Sequence, residues 1–420
     1  MKIAVTEYKQ SVQFASRWLL LGSFVGVLAG IAVAFFVRAL TYISDLRAQH
    51  LWIIAFLPIG GILSAWIYKT FGEGTEEGNN LIIDEVLEFR GRIRLRMAPI
   101  ILVATLITHL FGGSAGREGT AVQMAGAIAG KVASYLRLAQ RDARMLIMAG
   151  IAGGFSAVFG TPVAGAIFGM EVIARGEIQL VSAVACVAAA LAANLFTSWV
   201  APVHENYHVV AFTGMSLIMV GKLLLAAIPF ALASTLFSEL THTIAHRSMT
   251  WIRNDYLRIA IGSLLVLAIW ALVRNPEYLG LSIPLLDRAL NGEVMPSYAF
   301  MLKLILTVVT LGVGFKGGEV TPLFVIGALL GSTLAPLLGF PITTLAAIGF
   351  VAVFAAASKT PIACTIMGIE IFGASYAAPL ILVNFVCYVL AGHSGIYTSQ
   401  RIANFGFDHV SEVPDDQSLD

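Results

Sequence analysis

Long apolar stretches with little polar relief run through the chain: Trp18 to Leu40, Leu51 to Tyr68, Met97 to Phe111, Leu180 to Phe196, Met215 to Phe237, Ile259 to Val273 and Leu302 to Val313. Several reach or approach the ~20 residues that cross a bilayer's hydrocarbon core as helix. Others are shorter and broken by Gly or Pro, which predicts helices that stop part-way across. None alternates strictly between apolar and polar positions, so the two-residue period of a strand is missing. Inside lipid a backbone must satisfy its own hydrogen bonds, which leaves helices or a closed barrel. Without alternation, helices are expected throughout.

Composition removes the soluble alternative. A length of 420 residues would allow two or three soluble domains, but 58% of the chain is apolar and 12% charged. Ordinary soluble domains carry about 25% charged residues, and a chain so poor in charge cannot cover a water-facing surface. The net charge of +1, with no polybasic arm, gives no sign of a nucleic-acid partner. Cys186, Cys364 and Cys387 lie in apolar runs with no CxxC spacing, so they read as core fillers, not as disulfides or metal ligands. No cleavable signal is evident at the start: residues 1–15 read as a short surface segment leading into the first span. Residues 406–420 form an acidic tail. Two basic connections, Arg90 to Arg96 and Lys131 to Arg144, would face the cytoplasm by the positive-inside rule, but the sequence leaves their relative sides open.

The chain also repeats itself. Gly116-Arg117-Glu118-Gly119-Thr120 and the helix pattern after it lie on Gly317-Gly318-Glu319-Val320-Thr321, an offset of 201 residues. Gly126 then matches Gly327, and Gly130 matches Gly331. Thr161-Pro162 through Glu171 lies on Thr360-Pro361 through Glu370, offset by 199. Short matches arise among Gly-rich apolar helices by composition alone, but here a Glu falls at the same place in both pairs. Two related halves follow, residues 16–210 and 211–405, and such duplication in an apolar chain points to a transporter or channel with its site between the halves.

Ionisable groups inside membrane segments are costly and mark functional candidates. Glu118, Glu171, Glu319, Glu370 and Lys316 are such groups. Glycines before Glu118 and Glu319 leave the following helix starts open, with unpaired N–H groups and partial positive charge that bind anions without a fixed cation. Two such starts beside two carboxylic acids imply an anion site next to proton acceptors. A carboxylate competing for that site yields by protonating or moving away, which couples anion flux to proton flux. Arg117 either pairs with Glu118 or anchors the surface. Glu171 and Glu370, on helices after Thr-Pro turns, read as interhelical hydrogen-bonding groups before a proton relay. Lys316 either counters Glu319 or lies at the membrane surface.

These residues carry a resemblance. Gly116 to Gly119, Gly153-Gly154-Phe155-Ser156 to Pro162-Val163-Ala164-Gly165, and Gly318 to Pro322 resemble, in order and spacing, the signature segments of the CLC anion channels and transporters. The resemblance implies an all-α polytopic fold of two inverted-topology repeats with tilted and broken helices. It also implies a homodimer with one pathway per subunit, Glu118 as gating glutamate and no cofactor. Departures from the chloride pattern are similar to the fluoride/proton antiporter branch, CLC-F. The first signature reads Gly78-Asn79-Asn80, where Asn79 replaces an anion-contacting Ser. Thr120 stands where Pro is common, and Glu319-Val320-Thr321 stands in the third signature. Val172 takes the place of the internal glutamate. Tyr397 falls where the family places a central tyrosine. By this resemblance the site residues are Glu118 and Glu319 for proton transfer and gating, with Asn79, Gly116, Arg117, Gly119, Val320, Thr321 and Tyr397 around the anion. The partners are fluoride and protons, with chloride possible, in a bacterial inner membrane.

Rival readings are a chloride-selective CLC exchanger or channel, an intramembrane enzyme and a passive scaffold. His242 and His246 have i, i+4 spacing, but Thr243 stands where a zinc-protease helix needs Glu. Ser156 lacks a nucleophile-elbow Gly two residues on, and the run from Phe111 to Thr120 lacks the Gly-Lys-Ser/Thr of a nucleotide loop. A transporter, not an enzyme, and no metal site are expected.

Overall fold

The computed structural model describes residues 2–200 and 209–402, so the acidic tail 406–420 lies outside the described residues. Among these, sixteen α-helices account for nearly all the regular structure. In chain order they are α1 (Lys2–Gln49), α2 (Leu57–Phe71), α3 (Asn79–Leu87), α4 (Met97–Leu110), α5 (Glu118–Tyr135), α6 (Gln140–Phe159), α7 (Pro162–Glu171) and α8 (Ala183–Val200). The second set is α9 (Leu217–Trp251), α10 (Asp255–Val273), α11 (Ile283–Leu290), α12 (Ala299–Gly312), α13 (Val320–Leu338), α14 (Ile342–Ser358), α15 (Pro361–Phe372) and α16 (Ala377–Leu390). Two short strands, β1 (Ala174–Arg175) and β2 (Arg401–Ile402), pair in parallel and tie the end of the described chain to the connection after α7.

Every apolar run read from the sequence is helical. Seven helical segments are long and apolar enough to span a membrane. Among the described residues five further apolar helices, including α4, α12 and α15, are 10–17 residues long, shorter than the ~20 residues typical of a full span. At 1.5 Å per residue, α9 is about 52 Å long against a hydrocarbon core of about 30 Å, so it must tilt. The surface segment and the first span form one continuous helix, α1. Prolines open α2, α7 and α15 in their first turns, where their missing N–H costs nothing. Ser216 and Asn254 cap α9 and α10 with side-chain oxygens that accept from backbone N–H groups.

Small residues let the helices touch at backbone distance, because lipid supplies no hydrophobic drive between them. Side-chain carbons at Gly22 and Gly26 of α1 would stand 2.5 Å and 2.3 Å from the carbonyl oxygens of Ala185 and Ala189 on α8. The α13–α14 pair is tighter: such carbons at Gly327 and Gly331 would reach 2.0 Å from Gly349 O and 2.2 Å from Leu345 O. Gly150 and Gly154 of α6 meet α5 in the same manner. Helices α6 and α13 are the most enclosed spans, 83% and 78% buried in their apolar windows. An aromatic cluster joins both halves at the centre: Phe155 stacks on Phe168 at 4.1 Å, and Phe324 stacks on Phe350 at 4.0 Å and meets Phe159 at 5.3 Å.

The two basic connections meet on one face of the molecule. The Arg144 guanidinium donates to Val86 O at the end of α3, and Gly130 of α5 lies against Ile93 of the Arg90–Arg96 loop. Cys186, Cys364 and Cys387 are buried free thiols, as expected of core fillers.

Candidate functional site

Both loops that precede the duplicated motifs are built alike. After α4 the chain turns through Gly112, at φ +87°, and after α12 it turns through Gly314, at φ +112°. The loops then run into each other. Gly116 N donates to Gly318 O at 2.6 Å and Gly318 N donates to Gly116 O at 2.8 Å, an antiparallel bridge between the two halves. No side chain fits here. A carbon at Gly318 would stand 2.8 Å from Gly119 N, and one at Gly116 would stand 2.9 Å from the Pro322 ring. The starts of α5 and α13 therefore lie beside each other in the protein interior.

Glu118 opens α5 and is 1% exposed. Its carboxylate accepts from the N-cap N–H of its own helix and crosses to α13. Thr321 N donates to Oε2 at 3.0 Å, and the Thr321 hydroxyl lies 2.6 Å from both oxygens, able to donate to one at a time. Arg117 N donates to Oε2 at 3.1 Å, and Arg117 Nε stands 3.6 Å from Oε1. Arg117 is thus an ion-pair partner of Glu118, one of the two roles open at the sequence level. The carboxylate fills the place where the open helix start would hold an anion. Hydrogen bonds to a charged group each contribute about 1.5–3 kcal/mol, so the docked state is well held.

The twin acid behaves differently. Glu319, at the N-cap of α13, has a buried Oε2 with no hydrogen-bond partner among the described residues. It lines a cavity of about 170 Å³ with Asn79, Gln123, Lys316 and Tyr397. Asn79 opens α3 after Gly78, and its Oδ1 is likewise buried and unpartnered. A side chain at Gly119 would stand 2.9 Å from Asn79 Nδ2, which places that amide against the start of α5. Tyr397 is buried and shares with Asn79 a second cavity of about 10 Å³, walled by Ile82, Val122 and Phe168. That volume is about what one water needs. Asn80 Oδ1 accepts from Ser399 N at 3.2 Å and holds the Tyr397 segment against α3. Val320, buried, is the first residue of α13.

The expected residues therefore come together in two adjoining groups. Gly116, Arg117, Glu118, Gly119, Val320 and Thr321 form the bridge and the two helix starts; Asn79, Glu319 and Tyr397 line the cavity beside them. Lys316 is at that cavity, over the Tyr68 ring at 4.4 Å, and donates to Glu76 O at 3.4 Å.

Three polar groups near the site escaped the sequence reading. Gln123 on α5 lines the cavity with an unpartnered Oε1; its only signal was an amide in a Gly/Ala-rich helix. Lys303 is fully buried within the run Leu302 to Val313 and donates to Ser114 Oγ at 2.9 Å and Gly280 O at 2.8 Å. A buried lysine amino group thus braces the loop before Glu118. His109 has one ring nitrogen 2.8 Å from Thr105 O and the other 3.1 Å from Ala115 O, pinning the same loop.

Away from the bridge, the other duplicated acids close on each other. Glu171 accepts from Ile362 N at 3.0 Å and Ala363 N at 2.7 Å, at the start of α15. Glu370 accepts from Val163 N at 3.0 Å and Ala164 N at 2.8 Å, at the start of α7. The interhelical hydrogen bonding expected of this pair is present and reciprocal.

The profile of the voltage gated chloride channel family matches residues 60–392. A protein of Pseudomonas syringae pv. tomato named chloride/fluoride channel protein is 42% identical over 397 residues, 93% of this chain and 88% of that protein. The H(+)/Cl(-) exchange transporter ClcA of Vibrio vulnificus is 27% identical over 90% of this chain and 88% of its own length. Among solved structures, a CLC-type fluoride/proton antiporter superposes with a TM-score of 0.90 at 35% identity, covering 92% of this chain and 98% of that one. A slow cyanobacterial Cl-/H+ antiporter gives a TM-score of 0.78 at 21% identity over 91% and 96%.

Proposed function

The chain belongs to the voltage gated chloride channel family, and within it we propose that this protein exchanges fluoride for protons across a bacterial plasma membrane. The observation that carries the reading is the Glu118 carboxylate held on the start of α13 by Thr321 N and its hydroxyl. An anion reaching those donors must displace the carboxylate. Displaced into surroundings of low polarity, the carboxylate takes up a proton, because an isolated buried charge is far costlier than a neutral acid. When the anion leaves, the group ionises and docks again. Anion and proton then move in opposite senses through one competition.

Fluoride is small and tightly hydrated, so its site must replace water with close donors. The Asn79 amide, the Thr321 hydroxyl and the N–H groups at the two helix starts are the donors available here. Glu319, which lines the cavity and keeps a buried oxygen without a partner among the described residues, serves as the second proton-accepting group, which matters because Val172 stands where an internal glutamate would otherwise serve. The cavity of about 10 Å³ beside Asn79 and Tyr397 suits an ion no larger than a water molecule. Both similar proteins whose names mention fluoride have higher identity to this chain than the chloride/proton exchangers.

Residues 16–210 and 211–405 act as the two repeats, with the pathway at the bridge between them, and two copies assemble as a dimer with a pathway in each. The shared face of the basic connections is cytoplasmic by the positive-inside rule.

Proteoliposome flux tests the reading. Fluoride-loaded vesicles with an electrical shunt should drive proton uptake as fluoride leaves, and chloride-loaded vesicles should do so far less. Chloride exchange at an equal or greater rate would replace fluoride by chloride as the substrate. Fluoride flux with no proton movement in the wild type would leave a channel.

A further inference from the structure

A third cavity, away from the proposed transport site, opens on the face that carries both basic connections. It measures about 410 Å³ and lies between the end of α3, the start of α6 and the approach to α8. Arg141 and Arg144 stand on one side, and Met145, Met148, Ile173 and Val181 supply apolar wall. Two membrane spans, Gln140–Phe159 and Leu180–Val200, begin at this level, so the cavity lies where hydrocarbon gives way to headgroups. Leu180 and Val181, 71% and 51% exposed, continue the apolar wall outward.

The charge here is unbalanced. Among the described residues no carboxylate pairs with Arg141 or Arg144. The acids on the elements that line the cavity are engaged elsewhere, Asp84 with Arg92 at 3.6 Å among them. Asp142 binds Arg17 at 2.7 Å. Glu85 accepts from the backbone N–H groups of Arg90, Gly91 and Arg92, while Glu88 pairs with Arg90 and Arg401. Glu177 accepts from the Gln179 amide at 3.3 Å. The two guanidinium groups thus face a mixed basic and apolar pocket with no counter-charge from the described residues. Water displaces poorly from such guanidinium groups unless an anion replaces it, and a bidentate phosphate contact is what their fork geometry favours.

We propose that this cavity is a binding site for an anionic phospholipid. Its phosphate lies between Arg141 and Arg144, and its glycerol and first acyl carbons rest on Met145, Met148, Ile173 and Val181. Volume favours a lipid over a free ion. A water occupies about 30 Å³ of liquid, so one inorganic phosphate would leave much of the pocket unfilled and its apolar wall uncovered. Basic pockets between membrane helices on the cytoplasmic side recognise anionic headgroups by this same combination. The inference is independent of which anion is transported.

Native mass spectrometry tests it. The full-length protein, reconstituted in mixed phosphatidylcholine and phosphatidylglycerol vesicles and re-extracted in mild detergent, should keep phosphatidylglycerol over phosphatidylcholine by roughly tenfold or more. Arg141→Gln with Arg144→Gln should remove that preference, and Arg141→Gln alone, which leaves the Arg144–Val86 contact intact, should reduce it several-fold. Lys131→Gln, outside the pocket, should leave it unchanged. Equal retention of both lipids, retention unaltered in the double variant, or equal loss with Lys131→Gln would overturn the site. Displacement of the lipid by millimolar inorganic phosphate, or a pocket closed by the second copy in the dimer, would overturn it too.

Discussion

Two pairs of carboxylates stand at duplicated positions in this chain, and each lies near a helix start of the opposite half. At the α7–α15 contact the arrangement is symmetric. Glu171 takes two N–H groups of α15, Glu370 takes two of α7, and every carboxylate oxygen is used. At the bridge the symmetry is broken. Glu118 docks on α13 through Thr321, while Glu319 lines a cavity and keeps one buried oxygen with no partner among the described residues. The same chemistry, a carboxylate on open amide groups, gives a clasp in one place and, in the function proposed above, a releasable plug in the other. The difference is that the second acid of the bridge pair, unlike either acid of the clasp, keeps a buried oxygen with no partner among the described residues. A clasp holds helices; a plug can be exchanged for an ion.

The strongest way to break this contrast is at Glu118 itself. Glu118→Gln cannot ionise, so fluoride-driven proton uptake should fall to the background of protein-free vesicles, at least about 100-fold below wild type. General acid–base groups contribute on the order of 10²–10⁴. Retained coupling, read with a pH dye in the same vesicles, would remove Glu118 from the proton route. Next comes Gly318→Ala. Its new carbon would press on Gly119 N from 2.8 Å, so the bridge must part, and fluoride flux should drop by about tenfold or more, in line with a forced overpacking cost of 1–3 kcal/mol. Flux within twofold of wild type would show that the bridge geometry is dispensable.

Glu319→Gln sharpens the asymmetry. It keeps size and polarity and removes one proton acceptor, so proton-coupled exchange should slow by about tenfold while melting temperature holds, because the lost oxygen had no partner to lose. A large drop in melting temperature with normal coupling would make Glu319 a structural group. The smallest effect on transport is expected at the clasp. Glu171→Ala leaves two buried N–H groups of α15 unpaired, a cost of about 1–3 kcal/mol each. Its midpoint of thermal unfolding in detergent should fall by several degrees, with the fluoride-to-proton ratio unaltered. A changed ratio would mean that protons pass through the clasp.

Much of this was legible along the chain. The apolar runs predicted helices, and the glycines before Glu118 and Glu319 announced open helix starts, because both signals are local. The duplication at offsets of 201 and 199 residues marked four acids as pairs. The sequence could not say which member of the first pair would dock and which would face a cavity, since both follow glycine and precede an apolar helix. Lys303 was concealed within an apolar run, and only its burial against Ser114 and the Tyr278–Gly280 backbone shows what it does. The relative sides of the two basic connections depended on how many spans separate them.

By itself, then, the sequence determined where the chain is helical, that it is doubled, and which side chains carry charge into lipid. Spacing and composition suffice for these, because they act over one helix turn or one span. Tertiary structure alone decided that Glu118 crosses to Thr321, and that among the described residues one Glu319 oxygen has no partner and Arg141 and Arg144 find no acid. Each of those outcomes depends on which groups compete for the same few hydrogen bonds once distant segments are packed together.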